Sequence, residues 1–88
     1  MAASKGNRPE LWEKLLESLD EKLQLGLLDH LKRANSYHFE EEELFIEPGS
    51  DADEEYLTRD ATFQQLQFLA QDAVKVEKVR IRKYTPKD

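Results

Sequence analysis

The sequence predicts a small α+β domain with the order α-α-β-β-α-β, in which helices cover one face of a three-stranded sheet. Three observations carry this prediction. Apolar residues recur at helical spacing over the first third of the chain. They then recur at every second position on either side of Glu41-Glu42, as Tyr37 and Phe39 and as Leu44 and Ile46, which is typical of a half-buried hairpin. Helical spacing returns before a last alternating stretch near the end, which adds a third strand to a sheet whose other face stays open.

The first helix is predicted to begin at Pro9, after a small, polar, disordered lead-in over residues 1–8. Proline suits the first helical position, where its missing N–H group has no partner to lose. Glu10 and Glu13 complement the positive end of the helix dipole. The apolar stripe of this helix consists of Leu11, Trp12, Leu15, Leu16 and Leu19.

A second helix is predicted after a break near Lys22–Gln24, which lets two helices fold back on each other. Asp20 is a candidate cap, and the segment ends at Asn35-Ser36. Its apolar stripe consists of Leu23, Leu27, Leu28, Leu31 and Ala34.

The hairpin is predicted to pair residues 36–40 with residues 43–47. The turn between them has no Gly or Asn, so its geometry stays open. Pro48-Gly49-Ser50 ends the second strand.

Residues 51–59 are compatible with a short helix or a loop. The helix after them has its apolar stripe at Phe63, Leu66, Leu69, Ala70 and Ala73. The last strand is predicted within Val74–Tyr84, with a bend near Glu77, and residues 85–88 form a tail. Together, residues 9–84 form a single α+β interaction domain, whose sheet buries Leu44, Ile46, Val79 and Ile81 against the leucines of the helices.

Composition narrows the classes of function. The chain has 88 residues and a net charge of -6, and such an acidic balance repels phosphate backbones, which disfavours nucleic acid as the main ligand. It has no cysteine, which excludes disulfides and thiolate metal sites and favours the cytoplasm. No apolar run approaches the ~20 residues that span a bilayer, so no membrane partner is expected.

The residue types that carry catalysis or hold cofactors do not form a known constellation. His30 and His38 are the only histidines, and neither has the spacing of a metal-binding motif. Gly6, Gly26 and Gly49 are isolated and cannot build a loop that cradles phosphate. We therefore expect no enzymatic activity, no cofactor and no metal. The acidic run from Glu40 to Glu55 favours a solvated edge, with docking to a basic partner surface as the alternative.

Candidate partner-binding residues come from the aromatic and basic side chains that the predicted core does not fully absorb. Lys78, Arg80 and Arg82 form a basic stripe on the last strand, which pairs across the sheet with Glu43 and Glu47 or binds a partner. Single-stranded nucleic acid is a further alternative for this stripe. Each of three aromatic residues is either a core residue or an interface anchor: Trp12, Phe45 and Phe68.

Three stretches of the chain are similar to a known family. They are Ser36-Tyr-His-Phe-Glu, then Glu43-Leu-Phe-Ile-Glu47, and the closing Val74-Lys-Val-Glu-Lys-Val-Arg-Ile-Arg82. With the two opening helices, they resemble the C-terminal domain of the bacterial DNA polymerase III gamma/tau subunit over residues 9–84. The resemblance implies a KH-like fold without the GxxG nucleic-acid-binding loop. It also implies a non-catalytic role in the clamp loader, tethering a replicative polymerase subunit or the replicative helicase.

Two alternatives stay open from the sequence. The N-terminal domain of the replication initiator DnaA has the same element order and often begins with Leu-Trp, as Leu11-Trp12 does here. That resemblance implies helicase recruitment and self-association. The other alternative is a KH-like binder of single-stranded nucleic acid.

Overall fold

The computed structural model describes residues 6–86, and this part of the chain forms four helices and three strands. The predicted α+β class and element order are confirmed, with one additional helix before the long crossover helix. The elements are α1 (Pro9–Glu21), α2 (Leu25–Lys32), β1 (Ser36–Glu40), β2 (Glu43–Glu47), α3 (Asp51–Thr58), α4 (Asp60–Val74) and β3 (Lys78–Ile81).

The three strands form one mixed sheet in the order β1-β2-β3. β1 and β2 are antiparallel, and their register places Ser36 opposite Glu47 and Glu40 opposite Glu43, as the alternation predicts. β3 lies parallel to β2, with Val79 opposite Leu44. A parallel neighbour requires a long crossover connection, which α3 and α4 provide.

The hairpin turn consists of Glu41 and Glu42, both in the left-handed region with φ of 51° and 67°. Two left-handed residues match the twist of the flanking strands, which is why Asn-Gly is preferred at such turns. Glutamate has a Cβ atom that disfavours this conformation. Neither residue is therefore a turn signal, although the apolar alternation on either side predicts the register.

The break between α1 and α2 lies where it was predicted, at Lys22–Gln24. Leu23 has a φ of 59°, and its N–H donates to Asp20 while that of Gln24 donates to Leu19. This pair of hydrogen bonds is the Schellman arrangement that closes a helix. The assignment of Leu23 to the second helical stripe was wrong, because α2 begins at Leu25 and Leu23 is 77% exposed. The N-cap of α2 is Gln24, so Asp20 does not cap it.

Residues 51–58, for which helix and loop both stayed open, form α3. Ser50 is its N-cap and accepts a hydrogen bond from the N–H of Asp53. α4 extends to Val74 and ends at Lys75, which has a φ of 61°. The last strand begins at Lys78, after the predicted bend near Glu77, and Val74, at the start of the stretch in which the strand was predicted, belongs to α4.

The core lies between the four helices and one face of the sheet. α1 packs against both α2 and α4, and α4 packs against β3. The strand side chains that point into this core are Tyr37, Phe39, Leu44, Ile46, Val79 and Ile81. Most of the leucines predicted to meet them are buried, with Leu16 packed at the margin.

Trp12 belongs to this core and leaves only 5% of its surface exposed. Its ring stacks on Tyr37 with centroids 4.4 Å apart and planes within 5° of parallel. Stacking of large aromatic side chains adds to the free energy of burial. Trp12 therefore holds α1 against β1. It is a core residue, not an exposed interface anchor.

The free edge of β1 is covered by residues just before α1. The side-chain amide of Asn7 donates to the carbonyl of Phe39 at 2.7 Å, and its oxygen accepts from the N–H of the same residue at 2.8 Å. Gly6 lies so close to Tyr37 that an added Cβ would clash with its carbonyl oxygen. The lead-in was predicted to be disordered over residues 1–8, but its part from residue 6 onward contacts the sheet. Residues 1–5, and residues 87–88 of the tail, lie outside the described range.

Candidate functional site

The candidate site is the outer face of the sheet, the side turned away from the helices. Strand alternation dictates its composition, because every residue next to a core residue in the chain points outward. The register forms a cross-strand row in which His38 lies opposite Phe45 and Phe45 lies opposite Arg80. The outer face carries Ser36, His38, Glu40, Glu43, Phe45, Glu47, Lys78 and Arg80.

A shallow groove of about 480 Å³ follows this row, and we call it the basic groove. Its lining includes His38 and Glu40 of β1, Phe45 of β2 and Arg80 of β3. Its lining continues with Ile81, the last residue of β3, and with Arg82 and Lys83 beyond it. The structure thus brings together three of the predicted partner-binding residues: Phe45, Arg80 and Arg82.

Arg80 is held in place by Glu43 of the central strand. Its Nε atom donates to Oε1 of Glu43 at 2.6 Å, which confirms one of the two predicted cross-strand pairs. The second predicted acid, Glu47, accepts a hydrogen bond from the hydroxyl of Ser36 instead. Half of the Arg80 side chain remains exposed, so the pair leaves part of the guanidinium available.

The other cations of this region form no ion pair within residues 6–86. Lys78, Arg82 and Lys83 are exposed, and the salt bridges of the described chain involve none of them. The backbone N–H of Arg82 donates to Ile46 at 2.7 Å, so the strand-like pairing continues to this residue. A chain with an excess of acidic residues thus has unpaired positive charge at both ends of β3, from Lys78 at one end and from Arg82 and Lys83 at the other.

Phe45 is half-buried at the centre of the outer face, where no helix covers it. The His38 ring lies 6.0 Å from the Phe45 ring, and Nε2 of His38 is 3.0 Å from Oε1 of Glu40. An aromatic surface between two polar neighbours offers apolar contact area to a partner without disturbing the core.

Phe68 does not belong to this site. It is 66% exposed on α4, a helix that packs on the opposite side of the sheet. Lys78 projects from the outer face but lies at the hairpin end, opposite Glu43, and does not line the groove. The six predicted partner-binding residues therefore divide among the core, the outer face and α4.

A buried polar cluster, which the sequence did not predict, connects α2 to α3. Asp53 is only 2% exposed and accepts hydrogen bonds from Nη2 and Nε of Arg33 at 3.0 and 3.3 Å. The Arg33 guanidinium holds the pKa of the Asp53 carboxyl below its ordinary value. His30 lies beside them, with Nε2 at 3.5 Å from Asp53, and stacks on Tyr56.

This cluster joins the end of α2 to the start of α3 through Arg33 and Asp53. Within it, Ser50 is the N-cap of α3 and accepts a hydrogen bond from the N–H of Asp53. The signal that points to it is the spacing Ser50-x-x-Asp53, a capping motif. The long-range partner Arg33 could not be read from that spacing. Gly49 lies where an added Cβ would clash with the carbonyl oxygen of Arg33, so the loop before α3 passes close to the end of α2.

Glu77 lies close to Glu42 of the hairpin turn. The contact with Glu77 raises the pKa of Glu42, because a proton between the two groups relieves their repulsion. The backbone N–H of Glu77 also donates to the carbonyl of Glu42 at 2.6 Å. Within residues 6–86, no group of three or more acidic or histidine side chains has an arrangement that could hold a metal ion.

The comparisons with known proteins add no relative. No family model matches the chain, and neither a curated protein nor a solved structure matches it. Among the helices of the described residues, none has both the length and the apolar content needed to cross a bilayer.

Proposed function

We propose that this chain is a non-catalytic protein-interaction domain that binds its partner on the outer face of the sheet. The observation that carries the proposal is the coincidence of a half-buried aromatic residue with unpaired cations on a face that the fold does not use. Phe45 supplies apolar contact area, and Arg82 and Lys83 supply charge. Interface anchors are enriched in aromatic residues and arginine.

The partner that we propose is a component of the DNA replication machinery, either a replicative polymerase subunit or the replicative helicase. Support comes from the resemblance of residues 9–84 to the C-terminal domain of the gamma/tau subunit. The element order agrees with that resemblance, because α1, α2, the hairpin, the crossover helix and β3 follow in the expected sequence. In this role the domain tethers its partner to the clamp loader.

The test is direct binding of the purified domain to a purified polymerase subunit and to the purified helicase, measured by surface plasmon resonance. Phe45→Ala and Arg82→Glu each weaken the complex by about tenfold or more if they remove anchors of the interface. Phe68→Ala and Lys14→Glu are matched controls, because they remove an exposed aromatic residue and reverse an exposed cation away from the outer face.

The controls leave the affinity unchanged if the outer face is the docking surface. Equal losses for Phe45→Ala and Phe68→Ala would assign binding to another surface. Absence of binding to both replication proteins, with a folded domain confirmed by circular dichroism, would overturn the proposed partner class.

A further inference from the structure

We infer that the basic groove binds an extended acidic segment of the partner protein, and that Glu43 occupies Arg80 until a carboxylate of that segment replaces it. This inference rests on the proposed function and specifies the chemistry of the partner. It also assigns Glu43 a regulatory role, as an internal competitor for the same arginine.

The charge of the groove selects an acidic ligand. Arg80, Arg82 and Lys83 line it together with a single acidic residue, Glu40. The Glu40 carboxylate already contacts His38 at 3.0 Å. Positive charge therefore dominates the groove, although the whole chain has a net charge of -6. Such a local reversal of sign steers an oppositely charged partner to this face.

The spacing of the cations favours an extended ligand. Arg80 and Arg82 are two residues apart, and strand-like pairing with β2 continues through the N–H of Arg82. Two residues of extended chain span roughly 6.6 Å, which is also the distance between every second side chain of an extended peptide. Carboxylates in alternate positions of a peptide therefore match the two guanidinium groups.

Phe45 determines which side chains the ligand needs between its carboxylates. It is half-buried next to Arg80 and contacts His38 across the sheet. An apolar side chain of the ligand covers it and excludes water from the neighbouring ion pairs, as the surroundings of an interface anchor do. The matching segment consequently combines acidic residues with aliphatic or aromatic residues.

The Glu43 carboxylate occupies the position on Arg80 that a carboxylate of the ligand would take. Its Oε1 atom lies 2.6 Å from Nε of Arg80, and Arg80 is the one side chain that it bonds among the described residues. Exchange of Glu43 for a ligand carboxylate preserves one ion pair on Arg80, but Glu43 then has to be solvated. Removing its charge eliminates this competition and leaves the guanidinium free.

A protein segment fits this face better than a nucleic acid. Glu40, Glu43 and Glu47 lie on the same outer face as the cations, and their carboxylates repel the continuous negative charge of a phosphate backbone. A peptide can instead match its charges to the cations alone. Single-stranded nucleic acid is therefore an outcome that the test must distinguish.

The test uses a fluorescein-labelled peptide of alternating aspartate and leucine, with fluorescence anisotropy as the readout. A peptide with asparagine in place of every aspartate and an oligothymidine are the control probes. Glu43→Gln is expected to bind the acidic peptide about threefold more tightly than the unaltered domain, the gain that release of a surface ion pair supports. Arg82→Gln and Phe45→Ala are expected to weaken it.

Glu47→Gln is the matched control for Glu43→Gln. It removes the same charge from the same face, but its carboxylate bonds Ser36 rather than an arginine. Equal effects of the two substitutions would show a general charge effect and overturn the role of Glu43. Tighter binding of oligothymidine than of the acidic peptide would overturn the acidic-segment inference.

Failure of this inference and failure of the proposed function are separable. If the acidic peptide binds neither the unaltered domain nor Glu43→Gln, while a replication protein binds in a manner sensitive to Phe45→Ala, the ligand chemistry is wrong and the docking face is correct. If neither the peptide nor the replication proteins bind, both conclusions fall.

Discussion

Two carboxylates, Asp53 and Asp29, form ion pairs with Arg33, and comparing them measures how burial changes the contribution of an ion pair to stability. Asp53 and Asp29 both bond this guanidinium, at 3.0 and 2.9 Å. Their surroundings differ, because the Asp53 side chain is 3% exposed and that of Asp29 is 69% exposed. Replacing each in turn with alanine removes one carboxylate from the same cation.

The expected losses differ by several-fold. A hydrogen bond to a charged group contributes about 1.5–3 kcal/mol, and Asp53 accepts two of them from Arg33. The Arg33 side chain is half exposed, so water recovers part of that free energy when Asp53 is removed. We expect Asp53→Ala to lower the free energy of unfolding by about 2 kcal/mol. Asp29→Ala, an exposed i,i+4 pair, should cost roughly 0.5 kcal/mol or less.

Urea denaturation followed by far-ultraviolet circular dichroism measures both losses, and its pH dependence checks their cause. Arg33 lowers the pKa of Asp53 in the folded state, so this carboxylate contributes stability above its unfolded pKa of roughly 3.9. The contribution is lost as the pH falls through the lower, folded pKa. The difference in the free energy of unfolding between Asp53→Ala and the unaltered domain should therefore decrease on acidification below about pH 4. Equal losses for the two substitutions, or a loss independent of pH, would refute the reasoning.

Three further substitutions test local features of the fold. Leu23→Gly should raise the free energy of unfolding by about 1 kcal/mol, because glycine adopts the left-handed conformation at this helix end without steric cost; an unchanged or lower urea midpoint would contradict this. Asn7→Ala should accelerate hydrogen exchange of the Phe39 amide, which loses its acceptor, and unchanged protection would show that the edge is covered in another way. Glu77→Gln should stabilise the domain at pH 7 but not at pH 3. The pKa of Glu42 is raised in the folded state, so its contact with Glu77 contributes stability below the unfolded pKa of Glu42. This contribution is lost as the pH rises through the folded pKa of Glu42, where both carboxylates are charged. Parallel urea titrations at the two pH values measure this difference, and an equal effect at both would count against the shared proton.

The apolar periodicity was sufficient to predict the fold class, the hairpin register and the inward face of each strand. Leu44 and Ile46 alternate with Phe45, and burial follows that alternation in the structure. The same alternation placed Glu43 and Arg80 on the outer face, where they form an ion pair. Local pattern carries this information because side chains of a strand alternate strictly between its two faces.

The features that periodicity missed depend on backbone conformation or on distant contacts. Glu41 and Glu42 form a turn with no residue that favours positive φ, so composition could not reveal its geometry. Val74 has the apolar, branched side chain of a strand residue, yet α4 continues to it because its side chain packs in the core beside Ala73. Asn7 and Phe39 are 32 positions apart, and no spacing rule relates an edge strand to a side chain that far away.

The central position of β2 has consequences for how the chain folds and for how it aggregates. β1 and β2 pair through a short turn, whereas β3 is separated from β2 along the chain by α3 and α4. Contacts between distant segments form slowly because loop closure costs entropy before they contribute. Before β3 docks, β2 is an open edge flanked by apolar side chains, a template for pairing with another chain. Truncation before Lys78 would leave that edge permanently exposed, and aggregation rather than a smaller folded domain is the expected product.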